Sequence, residues 1–180
     1  MRIIAGIYKG RKLKVPKTSL RPTTNVVREA LFDIIQDKIQ HAKFLDIFAG
    51  SGLVGLEALS RGASFCAFVE KSKKAASTIK ENINILNANG KVYSIDFRRY
   101  LKKTDEIFDF IFFSPPYFEK LENDILYYLE KSKAADNNST IIIQIYKKVD
   151  LPLNDYSFEV VDERRYGITK LIFLKKTLQN

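Results

Sequence analysis

Short apolar runs alternate with amphipathic segments along the chain from residue 44 onward. Runs bounded by turn residues are typical of buried strands, and apolar positions that recur every three or four residues are typical of helices. The pattern predicts strands at residues 44–48, 64–70, 91–96, 108–113 and 140–145. It predicts helices between them at residues 53–61, 72–86 and 119–131, with a short helix after the third strand. Strands and helices that alternate in this way favour an α/β fold, a parallel sheet with helices on both faces.

The C-terminal end of the chain departs from this alternation. Residues 157–165 and 168–175 are two further strand patterns, joined by a tight turn around Tyr166 and Gly167. A connection this short permits only an antiparallel hairpin. We therefore expect a seven-stranded, mostly parallel sheet in which the C-terminal hairpin supplies one reversed strand.

The N-terminal end carries a different pattern. Residues 2–15 alternate around Gly6 and Gly10, which predicts a short β-hairpin. Thr23 or Thr24 can then cap a helix, because the apolar residues that follow recur at helical spacing.

Length and composition fit a single globular domain. The chain has 180 residues, of which 46% are apolar, so it can bury a core of its own. We divide residues 1–180 into an N-terminal hairpin and helix (1–40) and an α/β core (43–180). A single cysteine and a single histidine leave neither a disulfide nor a zinc cluster. No apolar run approaches the roughly 20 residues that span a membrane, and no signal-peptide core is present, so we expect a cytoplasmic protein.

The net charge of +9 is concentrated at one end of the chain. Residues 1–28 carry eight lysines and arginines and no aspartate or glutamate, whereas the remaining residues are nearly balanced. A basic segment of this kind favours a polyanion, because each neutralised phosphate releases condensed counterions. The pattern therefore indicates nucleic-acid binding, with a solvated basic surface as the alternative.

A glycine-rich turn follows the first strand of the predicted sheet. Gly50, Gly52 and Gly55 have the G-x-G-x-x-G spacing of nucleotide-binding turns, and Glu70 at the end of the next strand could hold ribose hydroxyls. This spacing alone permits NAD, FAD or S-adenosylmethionine. Asp46 favours the last of these, because a carboxylate close to the turn repels a pyrophosphate and attracts the ammonium group of S-adenosylmethionine. A structural cap is the alternative role for Asp46.

Asp96 ends the third predicted strand, and Phe97 follows it. This position suits an adenine ring, because the carboxylate of Asp96 can accept from the adenine amino group and Phe97 offers an aromatic face beside it. Aspartate is also an ordinary turn residue, so a purely local role is the alternative.

The tetrapeptide Ser114-Pro115-Pro116-Tyr117 closes the fourth predicted strand, which is apolar almost throughout. In an open α/β sheet, ligands bind outside the carboxyl ends of the central strands. Two prolines fix the backbone and remove two donors, so this turn offers mainly acceptors. Acceptors suit an exocyclic amine, because accepting its two N–H groups aims the nitrogen lone pair at a methyl donor. Tyr117 could stack on a base that has left its helix. The alternative is an ordinary turn in which the tyrosine only fills space.

Segments spread over nearly the whole chain carry a family resemblance. They are Arg2 to Gly6, Gly10 to Leu13, Arg21 to Thr24, Val27 to Phe32, Leu45 to Gly52, Gly55 to Gly62 and Tyr166 to Thr169. Together they resemble the bacterial small-subunit (16S) ribosomal RNA guanine-N2 methyltransferases of the RsmD type. The basic N-terminal segments are more specific than the glycine turn, which many methyltransferases share.

The resemblance implies a Rossmann-like class I methyltransferase fold, S-adenosylmethionine as the methyl donor, and ribosomal RNA or the small subunit as the partner. It implies that the tetrapeptide 114–117 holds the target amine and is the catalytic turn. The residues assigned to the donor site are Asp46, Phe48, Ala49, Gly50, Ser51, Gly52, Glu70, Lys71, Asp96 and Phe97. The residues assigned to the RNA are Arg2, Lys9, Arg11, Lys12, Arg21, Thr23 and Arg28. We expect a monomer without a metal ion.

Two positions depart from the family pattern. The family normally has aspartate where this chain has Ser114, and a hydroxyl cannot offer the charge-assisted bond of a carboxylate. Losing one positioning contact lowers a rate on the order of 10²-fold. Asn25 and Val26 stand where the family usually has Asp-Arg, which removes one cation from the expected RNA-facing surface. Three alternatives stay open: an adenine amino-methylase, a non-catalytic RNA-binding assembly factor, and a nicotinamide oxidoreductase, which Asp46 disfavours.

Overall fold

A computed structural model describes residues 1–16, 23–117 and 119–177. Its strands are β1 Lys43–Ile47, β2 Phe65–Val69, β3 Gly90–Tyr93, β4 Phe110–Phe113, β5 Thr140–Tyr146, β6 Phe158–Tyr166 and β7 Thr169–Lys176. Its α-helices are α1 Asn25–Ile35, α2 Leu53–Ser60, α3 Lys73–Leu86, α4 Phe97–Leu101 and α5 Glu122–Glu130. Short 3-10 helices lie at Gln36–Lys38 and Leu153–Asp155. Within these described ranges, no helix has the length and apolar character needed to cross a membrane.

The strands join in one sheet in the order β3-β2-β1-β4-β5-β7-β6. Strands β1 to β5 run parallel, and β7 pairs antiparallel with both β5 and β6. The expectation of a seven-stranded sheet with one reversed strand is confirmed. The strand order reverses between β1 and β4, where Ile47 lies opposite Phe113 at the carboxyl ends. In open α/β sheets such a switch point is where ligands bind.

Two apolar layers cover the faces of the sheet. Helices α1, α2 and α3 pack on one face, and α4 and α5 pack on the other. On β4, Phe110 and Phe112 belong to the first layer, and Ile111 and Phe113 belong to the second. Successive side chains of a strand point to opposite faces, so a strand buried on both faces reads as a continuous apolar run.

Local capping chemistry sets the helix boundaries. Oγ1 of Thr24 accepts from the backbone N–H of Val27 and caps α1, as predicted for one of the two threonines. The carboxylate of Asp96 accepts from the backbone N–H of Arg98 and caps α4. The third strand therefore ends earlier than predicted, at Tyr93, and Asp96 belongs to the start of a helix.

The predicted N-terminal hairpin is confirmed in a short, irregular form, because the backbone N–H groups of Ile3, Gly10 and Leu13 donate to the carbonyls of Arg11, Ile3 and Met1 at 3.2, 2.9 and 2.9 Å. Arg2 and Lys12 form a single antiparallel bridge, and the residues between them form turns. The backbone N–H groups of Ile4 and Ala5 donate to the carboxylate of Glu57 on α2, each at 2.9 Å. These two donors lie in the turn between the paired arms, where the Glu57 side chain holds them.

A buried ion pair lies under this N-terminal segment and corrects one assignment. The side chains of Arg28 and Glu57 are fully buried, with Nε of Arg28 3.4 Å from Oε2 of Glu57. Nη2 of Arg28 donates to the carbonyl of Arg2 at 2.9 Å and to Oδ1 of Asn25 at 3.2 Å. Burial lowers the pKa of the Arg28 guanidinium, and the charge of Glu57 opposes that shift. The assignment of Arg28 to the RNA surface is therefore wrong, because this cation is part of the core.

Candidate active site at the carboxyl edge of the sheet

The glycine turn lies between β1 and α2, and a glutamate ties it to the neighbouring strand. Gly52 is the N-cap of α2 with φ +74°, and a Cβ there would lie 3.0 Å from Cγ2 of Ile79, so both the backbone conformation and the packing favour glycine. The backbone N–H of Gly50 donates to Oε2 of Glu70 at 2.9 Å, and that of Ser72 donates to Oε1 at 2.8 Å. Each carboxylate oxygen keeps a second lone pair, which suits a ribose hydroxyl.

Asp46 supports α2 from within the core. Its carboxylate is 1% exposed and accepts from the backbone N–H of Gly55 at 2.9 Å. Burial raises the pKa of Asp46 to about 7, with the Gly55 N–H opposing the shift and the charge of Glu70 adding to it. The geometry does not support the predicted contact with an ammonium group, because the carboxyl is enclosed and accepts from the backbone of α2. It matches the alternative role of a structural cap.

A narrow apolar pocket lies beside the turn, at the carboxyl ends of β1, β2 and β3. It is lined by Phe48, Val69, Lys71, Ile95, Asp96 and Phe97. The ring centroids of Phe48 and Phe97 are 4.9 Å apart. Phe48 has φ +62°, a conformation that is rare for a bulky residue and that clusters at functional sites. Four residues assigned to the donor site therefore come together in one pocket.

The remaining residues assigned to the donor site form the turn itself. Ala49 and Ser51 are half-buried. The carbonyl of Ala49 accepts from the backbone N–H of Gly52 at 2.7 Å, and the carbonyl of Ser51 accepts from Nδ2 of Asn82 at 3.5 Å. These bonds hold the turn between α2 and α3.

The tetrapeptide 114–117 follows β4 directly and touches the end of β1. The backbone N–H of Ser114 donates to the carbonyl of Ile47 at 3.3 Å. The carbonyl of Pro116 accepts a backbone N–H from the loop that follows, at 3.2 Å. In the part of the chain that the structure describes, the carbonyl of Pro115 accepts no hydrogen bond. This turn therefore offers a free acceptor next to the glycine turn.

A larger cleft of about 660 Å³ opens between this turn and the loop after β5. It is lined by Tyr117, Lys120, Glu122, Asn123, Tyr146, Lys148, Val149, Asp150 and Pro152. The ring centroids of Tyr117 and Tyr146 lie 6.3 Å apart, with 43° between the planes. Aromatic faces beside carboxylate and amide groups suit a nucleobase, which stacks with its face and hydrogen-bonds with its edge. The sequence interpretation missed Tyr146, because it reads as an ordinary strand residue.

The basic N-terminal segment presents its charges to solvent. The exposed residues among those assigned to the RNA are Arg2, Lys9, Arg11 and Lys12. Nη2 of Arg11 donates to the carbonyl of Ile85 on α3 at 3.1 Å. Oγ1 of Thr23 donates to Oε1 of Gln144 on β5 at 2.9 Å, so Thr23 supports the fold beside the site. Arg21 lies outside the described residues. Within residues 1–16, 23–117 and 119–177, no group of three or more His, Cys, Asp or Glu side chains could hold a metal ion.

Similarity to known proteins extends over almost the whole chain. A family model described as “Conserved hypothetical protein 95” matches residues 1–175. The chain is 42% identical over 153 residues to the “Ribosomal RNA small subunit methyltransferase D” of Buchnera aphidicola subsp. Acyrthosiphon pisum, covering 81% of this chain and 78% of that protein. The chain belongs to the RsmD family.

Further comparisons extend the similarity over almost the whole length of the chain. The “Putative rRNA methyltransferase YlbH” of Bacillus subtilis is 36% identical over 182 residues, covering 98% of this chain and 99% of that protein. A solved structure, “Putative methyltransferase yhhF from Escherichia coli”, superposes with a TM-score of 0.88 at 30% identity and covers 99% of both chains. The resemblance found in the sequence and the class I methyltransferase fold are confirmed.

Proposed function

We propose that this RsmD-family protein transfers a methyl group from S-adenosylmethionine to the exocyclic N2 of a guanine in cytoplasmic small-subunit ribosomal RNA. The observation that carries the proposal is that two turns meet at the carboxyl edge of the sheet. The glycine turn follows β1 and the tetrapeptide 114–117 follows β4, and the N–H of Ser114 donates to the carbonyl of Ile47. Family membership supports the reaction, since relatives named above are methyltransferases of ribosomal RNA.

S-adenosylmethionine supplies an electrophilic methyl group on a sulfonium centre. Phe48 and Phe97 offer apolar faces that suit adenine, and the half-exposed carboxylate of Asp96 suits its amino group. Glu70 suits the ribose hydroxyls, and the N-terminus of α2 suits the carboxylate of the amino-acid part. Because Asp46 is enclosed, we assign it the support of α2 and not the ammonium group.

On the substrate side, the groups of the chain orient the amine. The carbonyl of Pro115 and Oγ of Ser114 accept its two N–H groups, and the ring of Tyr117 supports the base. The nitrogen lone pair is then directed at the methyl group, which is catalysis by orientation. The Ser114 hydroxyl is neutral and holds the amine with a weaker bond than a carboxylate would.

The exposed cations of the N-terminal segment are the proposed RNA contacts. Lys14 pairs with Glu81 at 2.7 Å, whereas no ion pair within the described residues neutralises the four exposed cations assigned to the RNA. The segment is bonded to Glu57 of α2, and α2 begins at the glycine turn. Phosphate contacts are thereby held at a fixed distance from the donor site. RNA affinity should fall steeply with salt, in proportion to the number of phosphates contacted.

The proposal is tested by transfer of tritium from labelled S-adenosylmethionine to small subunits, or their RNA, from cells that lack the gene. Wild type should label the RNA, and nucleoside analysis should find N2-methylguanosine. Tyr117→Ala removes the stacking ring and should lower transfer on the order of 10²-fold. Tyr127→Ala is the matched control, because that ring is exposed on α5 and is not among the residues that line the cleft.

Two outcomes would redirect the assignment. Label in N6-methyladenosine would show an adenine amino-methylase. RNA binding without transfer would leave an assembly factor that keeps the fold, which Ser114 in place of the family aspartate favours.

A further inference from the structure

The hydroxyl of Tyr117 bonds to a residue far along the chain. It lies 2.5 Å from Oγ1 of Thr169, the first residue of β7, which is 7% exposed. The two residues are 52 positions apart. The segment that contains Thr169 carries part of the family resemblance, and the reaction described above leaves it without a role.

The sheet holds Thr169 on both sides. Its backbone pairs with Tyr146 on β5 and with Tyr166 on β6. The carbonyl of Ile168 accepts from the backbone N–H of Lys147 at 2.9 Å, which fastens the hairpin turn to the end of β5. The hydroxyl of Thr169 is therefore presented from a rigid element, the kind of support that keeps a site in register.

Tyr117 lies on the loop between β4 and α5 and is half-buried, so its ring can turn about the side-chain torsions. A hydrogen bond at the far end of the ring restrains the χ1 torsion, because a swing about χ1 would carry the hydroxyl away from Thr169. The restrained ring lines the cleft together with the ring of Tyr146. A base stacked on Tyr117 takes its orientation from this ring, and a misplacement of about 1 Å can cost 10²-fold in rate.

We propose that Thr169 is a positioning residue of the methyl-transfer reaction, whose hydroxyl holds the Tyr117 ring in the orientation that receives the target base. The inference rests on the proposed function and deepens it. Thr169 contacts neither the base nor the donor and acts only through Tyr117. A bond that merely fastens the hairpin to the loop would lower stability and would leave turnover of the folded protein unchanged.

The test is a double-mutant cycle of Tyr117→Phe and Thr169→Val, which each remove one hydroxyl and keep the shape of the side chain. Rates of tritium transfer to small subunits give kcat and KM, and calorimetry with S-adenosylmethionine gives the donor affinity. Each single variant should lower kcat about fivefold, the worth of one net hydrogen bond, with the donor affinity unchanged. The double variant should be no slower than the single variants, because both remove the same bond.

Thr169→Ser is the matched control, because it keeps the hydroxyl and should retain kcat within about twofold of wild type. Equal kcat in wild type and Thr169→Val, or losses that multiply in the double variant, would overturn the inference and leave the proposed function standing. Absence of transfer by wild type would overturn both. If the variants also lower Tm, kcat is measured at a temperature at which circular dichroism shows each variant to be folded, and a kcat equal to that of wild type under this condition overturns the inference.

Discussion

Replacement of Glu57 by glutamine should lower the free energy of unfolding by about 3–5 kcal/mol. The carboxylate is fully buried, and it accepts from the backbone N–H groups of Ile4 and Ala5 at 2.9 Å and from Nε of Arg61 at 3.0 Å. It also neutralises the buried guanidinium of Arg28. Glutamine keeps the shape, but it removes the charge and directs an NH₂ donor at groups that are themselves donors. Most of the loss comes from the Arg28 cation, which is left buried without a counter-charge.

Equilibrium unfolding in urea measures this loss, provided that the denaturant slope matches that of wild type. Glu81→Gln is the matched control, because that carboxylate pairs with Lys14 at 2.7 Å on the surface and its loss should cost less than about 1 kcal/mol. Arg28→Met in the Glu57→Gln background should recover part of the loss, since no cation then stays buried without its partner. A loss below about 1 kcal/mol in Glu57→Gln would refute the reasoning, because a buried cation without its partner costs several times more.

Three further predictions concern the N-terminal turn, the buried aspartate and the catalytic turn. Gly6→Ala should release the N-terminal segment, because a Cβ at φ +81° would lie 1.7 Å from the carbonyl oxygen of Ser60. Gly10→Ala is the comparison, because Gly10 has φ +79° but a Cβ there would lie in open space, and it should lower the free energy of unfolding by only about 1–2 kcal/mol. Urea unfolding and limited proteolysis distinguish the two variants. Burial raises the pKa of Asp46 from 3.8 to about 7, so the contribution of this carboxyl to stability is lost as pH rises through this range, and Asp46→Asn lacks that pH dependence. The difference in free energy of unfolding between wild type and Asp46→Asn should change by up to about 4 kcal/mol from acid to neutral pH. A difference that does not change with pH would contradict the raised pKa. Ser114→Asp should raise kcat through a charge-assisted bond, and a large drop would show that the site has adapted to serine.

The α/β core could be predicted because its signals are local. The apolar run that becomes β4 and the glycine spacing after β1 need no knowledge of distant residues. The short turn at Gly167 leaves β6 and β7 no arrangement other than an antiparallel pair. The order of the sheet then follows from the fold class.

How the N-terminal segment attaches to the core could not be predicted, because that attachment depends on residues far along the chain. Glu57 is one polar residue in a helix whose every residue is buried, and its own neighbours give no sign of the partners that satisfy it. Those partners are the backbone of Ile4 and Ala5 and the side chain of Arg28. Local alternation around glycines therefore predicted the antiparallel pairing of the two arms, but not the buried carboxylate of Glu57 that holds the turn between them.

The candidate site was predicted only in part, because some of its residues carry local signals and others are brought together by long-range pairing. The turns that follow β1 and β4 could be located from the sequence, because one contains closely spaced glycines and the other contains two prolines. The sequence places Asp46 near the glycine turn but does not tell on which side of the sheet its carboxylate lies. Tyr146 and Thr169 each stand at the end of a strand, and only the pairing of β5 with β7 brings them beside Tyr117.

The central claim is that the two adjoining turns bring a methyl donor to the amine of one ribosomal guanine. Mass spectrometry of small-subunit ribosomal RNA from cells with and without the gene tests it most directly. The account predicts that one guanine carries an N2-methyl group only when the gene is present, and that the purified protein restores it to subunits from the deletion strain. Identical modification in both strains, or loss of a methyl group from an adenine instead, would contradict it.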